Sequence, residues 1–346
     1  MRTRTLLAVG ALSSLLGLGC DGQTTPAPIV LAHPPADPGG PPPDGSTTSV
    51  FAMRHVQLGG ALLPDGGLDQ DAWEHIGFDI DGKVTTEQST DVCQLVAGAG
   101  RYWQVDGDGG IDNSFGRNVM PVLTETVGTS FEPRLNDSLA AGLVTNLLVV
   151  KGLGPGPTYS PMRAALLLGA PLGSPPTWSP SDVWPVDSSS LFDDDAGAPL
   201  LSFPGSYLDH RVFVAEPPSG AGELALGILD GVPVVLPLRH VQVAMTVSPD
   251  GSEISQGTVS AIIPLERLLF VVQALVGQVT TYLCTGSAFN SIVSVVKQAA
   301  DILLDGSQDP SRPCDGISFG MAFDGARVSL GPPVPVAPLG DVCDDQ

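Results

Sequence analysis

The sequence predicts a mainly β protein: a jelly-roll-like β-sandwich with a pair of helices inserted near its C-terminus. Short apolar runs rich in β-branched residues follow one another through the second half of the chain. Turn residues separate them, among them Asp230-Gly231 and Asp250-Gly251. Two longer runs, 265–283 and 287–303, repeat apolar residues at helical spacing. Many short strands with few helices are typical of a sandwich.

The first twenty residues are a targeting segment and not part of the fold. After two arginines, the apolar run 6–18 is too short to remain as a membrane-spanning helix. It ends in Gly19-Cys20, a sequence that resembles the lipobox of bacterial lipoproteins, although Gly17 replaces the usual aliphatic residue. In that family the cysteine is lipidated and becomes the first residue of the mature chain. We therefore expect residues 1–19 to be a signal peptide and Cys20 to carry lipid, with an ordinary secretory signal or an uncleaved anchor as alternatives.

Residues 20–49 are expected to form a tether, because they are rich in proline and glycine and favour extended polyproline geometry. Residues 50–346 are then one β-rich domain, since no second proline-rich linker of comparable length follows. This organisation places the protein in the bacterial cell envelope. Its lipid would lie in the inner or the outer membrane, and its body in the periplasm or at the cell surface.

The formal net charge of −22 excludes two classes of partner. Nucleic acids and anionic membrane surfaces both repel so acidic a chain. The high aliphatic content also excludes a disordered protein. The expected partners are therefore the membrane, through the lipid on Cys20, and a glycan or another envelope protein.

Taken in order, the elements begin with short helices. These are expected at 71–77, at 113–126, where Asn113 caps the start and Pro121 interrupts the middle, and at 135–141. Alternation at 317–323, extended by 328–330 after a turn at Asp324-Gly325, predicts a half-buried strand. The apolar runs predict further strands at 143–151, 163–168, 200–203, 211–215, 223–229, 232–238, 240–247 and 258–263.

The stretch from Phe78 to Gly116 carries two acidic turns that suggest a calcium site. Calcium takes six to eight oxygen ligands, and alternating aspartates and glycines bring several carboxylates to one point. The second turn departs from an EF-hand loop at several positions and is more similar to the Asp-Gly-Asp-Gly-Ile-Asp-Asn run of thrombospondin type 3 repeats. The alternative is a pair of acidic turns without an ion. The candidate ligands are Asp106, Asp108 and Asp112, with Asp79 and Asp81 if the two turns meet.

Four cysteines remain if Cys20 is lipidated, and an even number in an exported chain indicates two disulfides. Three pairings are possible. The short loop between Cys284 and Cys314 favours that bond, which leaves Cys93 to pair with Cys343.

The sequence contains one pattern associated with catalysis. Residues 316–320 satisfy Gly-x-Ser-x-Gly, but the pattern lies in an alternating strand, whereas a nucleophile elbow requires a strand, a sharp turn and a helix. The histidines do not show the spacing of a zinc hydrolase. These observations favour a role without catalysis.

Five stretches of the body carry a further resemblance: 78–86, 91–93, 106–118, 184–187 and 311–318. Together they resemble a family of uncharacterised exported proteins and lipoproteins from myxobacteria. The resemblance covers most of the mature body and implies export and lipidation, but no activity. Two functions therefore stand as hypotheses: a lipid-anchored envelope protein with a binding or structural role and a calcium-stabilised fold, or a secreted hydrolase of polysaccharide or peptide.

Overall fold

The computed structural model describes residues 32–44, 47–62, 68–127, 131–193, 195–215, 221–229, 232–337 and 343. The predicted signal peptide, Cys20, the first part of the tether and the predicted Asp230-Gly231 turn lie outside these ranges. Within these ranges, no helix combines the length and the apolar composition needed to cross a membrane.

The described residues form fourteen strands and four α-helices. The helices are α1 (Met120–Val127), α2 (Phe131–Ala140), α3 (Leu265–Val279) and α4 (Gly286–Gln298). The strands are β1 (Thr48–Gln57), β2 (Ala61–Leu62), β3 (Leu68–Asp69), β4 (Thr145–Lys151), β5 (Tyr159–Gly169), β6 (Val183–Asp187), β7 (Leu191–Phe192), β8 (Asp195–Pro199), β9 (Leu201–Asp209), β10 (Val212–Ala215), β11 (Ala221–Leu229), β12 (Val232–Val247), β13 (Glu253–Pro264) and β14 (Gly316–Val334).

Eight of the strands close into an antiparallel barrel. Around the ring they run β1, β4, β5, β9, β10, β12, β13 and β14, and β14 pairs with β1 to close it. Each barrel strand is thus the neighbour of the next barrel strand along the chain, which is an up-and-down arrangement. The expected jelly-roll-like sandwich is therefore wrong, although the mainly β content is confirmed.

Strand β1 explains the error. It pairs with β4 on one side, where Val50 lies opposite Val149, and with β14 on the other, where Val50 lies opposite Val328. The sequence prediction placed the start of this strand in the tether and left the rest unassigned. Inward and outward alternation is the same in a sandwich and in a barrel, so only this long-range pairing distinguishes the two.

The wall around β1 is buried on both faces. Phe51 and Met53 belong to the main core, which the barrel strands share with all four helices. Val50 and Ala52 point to the opposite face and pack in a second cluster with Trp184 of β6. Burial on both faces accounts for the continuous apolar runs in this part of the sequence.

Most predicted elements occur, with differences at two turns. The predicted strands 232–238 and 240–247 form one strand, β12, with an irregular pairing at His240, whose φ is 49°. The predicted turn at Asp324-Gly325 is instead part of β14. The chain stays extended there because Gly325 pairs with Met53 of β1 and with Ile254 of β13.

The described residues contain two disulfides, the number expected, but the predicted pairing is wrong. Cys93 bonds to Cys314, and Cys284 bonds to Cys343. Loop length favoured the bond between Cys284 and Cys314. The pairing is instead determined by the packing of the segment around Cys93 against the chain that leads into β14, where Gln94 accepts a hydrogen bond from the Cys314 N–H at 3.0 Å.

The second half of the predicted tether lies on the barrel. We call residues 32–44 the strap. The Tyr207 hydroxyl donates to the Pro35 carbonyl oxygen. The Ser160 hydroxyl donates to Asp37 at 2.9 Å, and the Ser160 N–H donates to the Pro41 carbonyl oxygen at 3.3 Å. The strap therefore contacts strands β5 and β9, whereas the sequence predicted an extended spacer.

Candidate metal centre

A long irregular segment between β3 and α1 carries the acidic turns. We call residues 70–114 the cap. Its main chain is attached to β13 and β14 by polar side chains: the Phe78 N–H donates to Ser260 Oγ at 2.6 Å, and the Gly320 N–H donates to Asn113 Oδ1 at 3.0 Å. The bond between Cys93 and Cys314 adds a covalent link. The cap is thereby fixed against the barrel wall although it is not a strand of the sheet.

Three aspartates of the cap converge on one point. One carboxylate oxygen each from Asp79, Asp81 and Asp112 lies within 4.8 Å of the other two. Two ligands on opposite sides of a calcium ion, each at about 2.4 Å from it, are separated by about 4.8 Å. The three oxygens are therefore close enough to share one ion.

The first turn is shaped by its own carboxylates. Asp79 Oδ1 accepts hydrogen bonds from the N–H groups of Gly82 and Lys83, at 2.6 and 3.2 Å. Asp81 Oδ1 accepts from the Lys83 N–H at 2.8 Å. These are the short-range bonds that make aspartate common in turns. The second oxygen, Oδ2, of Asp79 and of Asp81 takes no part in these turn hydrogen bonds.

Asp112 brings the second turn onto the first. Its N–H donates to the Phe78 carbonyl oxygen at 3.0 Å, and its Oδ2 accepts from the Ile80 N–H at 2.6 Å. Gly110 permits this approach, because its φ is 97° and a Cβ atom there would lie 2.5 Å from the Lys83 carbonyl oxygen. The two acidic turns thus meet in space, the condition under which Asp79 and Asp81 were expected to join the site.

Burial makes the cluster electrostatically unfavourable when no ion is bound. It raises the pKa of Asp112 well above the usual value, and the charges of Asp81, Asp106 and Asp301 raise it further. Burial also raises the pKa of Asp79 and, with the nearby charge of Asp79, that of Asp81. A divalent cation would offset this penalty because it favours the ionised form of every carboxylate around it.

Asp106 and Asp108 have different surroundings. Asp106 Oδ2 accepts a hydrogen bond from the Thr85 N–H, and burial raises the pKa of Asp106 to about 8. Asp108 lies outside the cluster: its carboxylate is exposed and lies 3.1 Å from His75 Nδ1. The expectation that Asp108 joins the site is therefore corrected, because it starts a single 3₁₀ turn whose side chain reaches His75.

Two residues near the cluster were not expected from the sequence. Asp301 lies beyond α4 and is buried; Ser318 donates to it from its N–H at 2.9 Å and from its hydroxyl at 2.6 Å. Burial raises the pKa of Asp301 to about 7. Gln308 Nε2 donates to Asp81 Oδ2 at 2.6 Å and to the Asp301 carbonyl oxygen at 3.0 Å. The one available signal was a lone aspartate within the apolar run 299–303.

The surroundings of the cluster fit a hard cation. The converging donors are carboxylate oxygens, the type of ligand that calcium prefers. Thr85 is buried beside Asp106, and its N–H and its hydroxyl both lower the pKa of that carboxyl. Asp79, Asp81 and Asp112 would hold the ion, whereas the expected ligand Asp106 lies outside this group of mutually close oxygens.

The Gly-x-Ser-x-Gly pattern lies in β14, as the alternation predicted. Ser318 is fully buried, and its hydroxyl donates to Asp301 and accepts a hydrogen bond from the Ser114 N–H at 2.8 Å. This serine therefore joins the cap to the barrel and has no access to a substrate. No family model, curated protein or solved structure matches the chain.

Proposed function

We propose that this chain is a lipid-anchored protein of the bacterial cell envelope with a binding or structural role that does not involve catalysis, and that calcium stabilises its cap. The convergence of Asp79, Asp81 and Asp112 on one point carries the calcium part of the proposal. Export and lipidation rest on the N-terminal charged and apolar run that ends in Gly19-Cys20.

The ion would act as a cross-link between the two acidic turns. Asp79 and Asp81 belong to the first turn and Asp112 to the second, so an ion held by all three joins chain segments some thirty residues apart. One oxygen of each carboxylate already accepts a main-chain N–H, which fixes its orientation. A preorganised, largely buried site of this kind suits structural stabilisation.

Two further observations support life outside the cytosol. The two disulfides fit an oxidising compartment, where such bonds persist. The resemblance to exported myxobacterial proteins and lipoproteins points the same way. The partner we propose is a glycan or another envelope protein, and not nucleic acid, because of the strongly acidic charge.

Isothermal titration of the full chain with calcium tests the metal site. We expect one bound ion per chain, and the Asp112→Asn variant should lose most of the affinity. Asp108→Asn is the matched control, because it removes the same charge from the same segment at a position outside the cluster. Equal affinity in all three proteins would refute the site.

Detergent phase partition tests the anchor. The chain expressed in a bacterial host should enter the detergent phase and show a lipid-modified N-terminal cysteine by mass spectrometry. Cys20→Ser should remain an unprocessed precursor or become soluble. A Cys20→Ser protein that matures and partitions like the unchanged chain would show that the lipoprotein assignment is wrong.

A further inference from the structure

The strap meets the metal centre at its N-terminal end. The Asp79 N–H donates to the Ala32 carbonyl oxygen at 2.8 Å, and His33 Nε2 lies 3.5 Å from Asp79 Oδ2. The Ala32 methyl group also lies over the second acidic turn, because a Cβ atom at Gly109 would come within 3.2 Å of it. The start of the strap therefore contacts both turns that carry the ion ligands.

The middle of the strap lies on the surface of the barrel. Residues 36–42 are exposed, and six of the thirteen residues from 32 to 44 are prolines, which cannot donate a main-chain hydrogen bond. The hydrogen bonds from Tyr207 and Ser160 hold this part through the carbonyl oxygens of Pro35 and Pro41 and the carboxylate of Asp37. An exposed segment of this kind opens at lower cost than a strand of the barrel, so the contacts at its ends contribute to holding it in place.

We propose that cation binding fastens the strap, so that occupancy of the metal centre sets the point at which the chain leaves the folded body. The inference rests on the proposed calcium site. Its physical basis is the shared residue Asp79, whose carboxylate is an ion ligand and whose N–H holds Ala32. Without the ion, the carboxylates of Asp79, Asp81 and Asp112 repel one another, the first turn shifts, and the hydrogen bond to Ala32 is lost.

His33 acts here as a neighbour of Asp79. The group of mutually close ligand atoms consists of the three carboxylates and does not include the imidazole. His33 contacts the oxygen of Asp79 that is not used in the turn, and its own side chain is largely exposed. His33, a residue of the strap, therefore helps to orient Asp79, one of the three ligands.

The consequence concerns the distance between body and membrane. A released strap becomes part of the tether and, at roughly 3 Å per residue of extended proline-rich chain, adds up to about 40 Å of reach. Coupling is also reciprocal: whatever free energy the ion contributes to strap attachment, the strap contributes to ion binding. Calcium would thus control how far the folded body of a lipid-anchored protein can lie from the membrane.

Site-specific proteolysis measures strap opening. Ala36 is exposed in the middle of the strap, so Ala36→Arg creates a site for an arginine-specific protease with little disturbance. In the full chain we expect cleavage after position 36 to be at least about tenfold faster with chelator than with calcium, because the rate follows the open population. Gln23→Arg is the matched control, since position 23 precedes the strap and its cleavage should not depend on the ion. Cleavage at the native arginines of the barrel reports global unfolding and should stay constant.

A second variant tests the reverse direction. Ser160→Ala removes the hydroxyl that holds Asp37, on the side of the strap away from the acidic turns. We expect it to weaken calcium binding by about threefold through the loosened strap. If calorimetry shows calcium binding while cleavage after position 36 is the same with and without calcium, the strap inference is overturned and the proposed function stands. If calcium does not bind, both are overturned.

Discussion

The barrel and the cap are stabilised in different ways. The barrel consists of eight hydrogen-bonded strands around a core of aliphatic and aromatic side chains, in which Phe319 and Val259 are fully buried. The cap contains only short helical turns between residues 70 and 114, and its main chain is held largely by side-chain carboxylates, amides and hydroxyls. One region is stabilised by apolar burial and the other by polar contacts, a disulfide and, we propose, an ion.

This difference means that the two regions respond to different conditions. Apolar burial is nearly independent of pH, of reductant and of divalent ions. The cap depends on all three, because its carboxylates have raised pKa values and the bond between Cys93 and Cys314 joins it to the barrel. The stability of the cap should therefore vary with conditions that leave the barrel intact.

The largest expected effect is in the core. Phe319 of β14 is fully buried and contacts the ring of Phe115, which follows the cap. Phe319→Ala should lower the free energy of unfolding by about 3–5 kcal/mol, as measured by chemical denaturation. Val84→Ala is the comparison within the cap, where the side chain is 62% exposed; its effect should stay within about 0.5 kcal/mol.

Removal of each disulfide in turn should distinguish the cap from the rest of the molecule. Replacing both Cys93 and Cys314 with serine should lower the free energy of unfolding by about 2–5 kcal/mol, since this bond closes a loop of more than two hundred residues. It should also weaken calcium binding, since Gln308 connects the Cys93 N–H to Asp81. Replacing Cys284 and Cys343 should reduce stability without changing calcium affinity. Equal calcium affinity in both double variants would contradict the proposed link between the disulfide and the ion site.

The pH dependence without calcium sharpens the comparison. Burial raises the pKa of Asp301 to about 7 and that of Asp106 to about 8, from an ordinary value of 3.8. A carboxyl whose folded pKa is raised stabilises the protein fully below its unfolded pKa, and this contribution is lost as the pH rises through the folded pKa. In chelator, the free energy of unfolding should therefore fall by several kcal/mol between pH 4 and pH 9.

Glu132 of α2 gives the matching measurement outside the cap. Its carboxylate accepts a hydrogen bond from the Leu58 N–H at 3.1 Å, and burial raises its pKa to about 7. Glu132→Gln should remove its part of the pH dependence in chelator and in calcium alike. Asp301→Asn should remove the contribution of Asp301 to the pH dependence in chelator only. With calcium bound, the carboxylates near the ion stay ionised over this pH range and contribute no pH dependence. A flat stability profile of the unchanged chain in chelator would contradict the raised pKa values.

Local patterns in the sequence were enough to predict most strands and helices, but not their arrangement. The predicted strand at 143–151 and the two C-terminal helices correspond to β4, α3 and α4, because periodicity reports burial directly. Barrel closure depends on the pairing of β1 with β14, more than 250 residues away. The apolar pattern of β1 does not indicate which strand it pairs with. The predicted disulfide pairing was wrong for the same reason: the spacing of the cysteines does not show which distant segments pack together.

The candidate site likewise contains residues that local patterns predicted and residues that only the fold brings together. Asp79, Asp81 and Asp112 were expected because aspartates and glycines alternate in two local turns, and the structure brings these three together. Asp301 was missed because it reaches the cap from the far side of α4, through the fold and not through a motif. Asp108 shares the local pattern but points to His75, a contact that spacing alone cannot predict.

The sign of the effect of Asp112→Asn tests the central claim most directly. Thermal and chemical unfolding of this variant and of the unchanged chain would be compared at pH 8, with calcium and then with chelator. In calcium at about a hundredfold excess over the dissociation constant, the variant should be less stable by up to about 2.7 kcal/mol, since the bound ion stabilises only the folded state. In chelator it should be as stable or more stable, because a buried, repelled charge is removed. The same destabilisation in both conditions would contradict a cation-stabilised cap and leave two acidic turns held by their own hydrogen bonds.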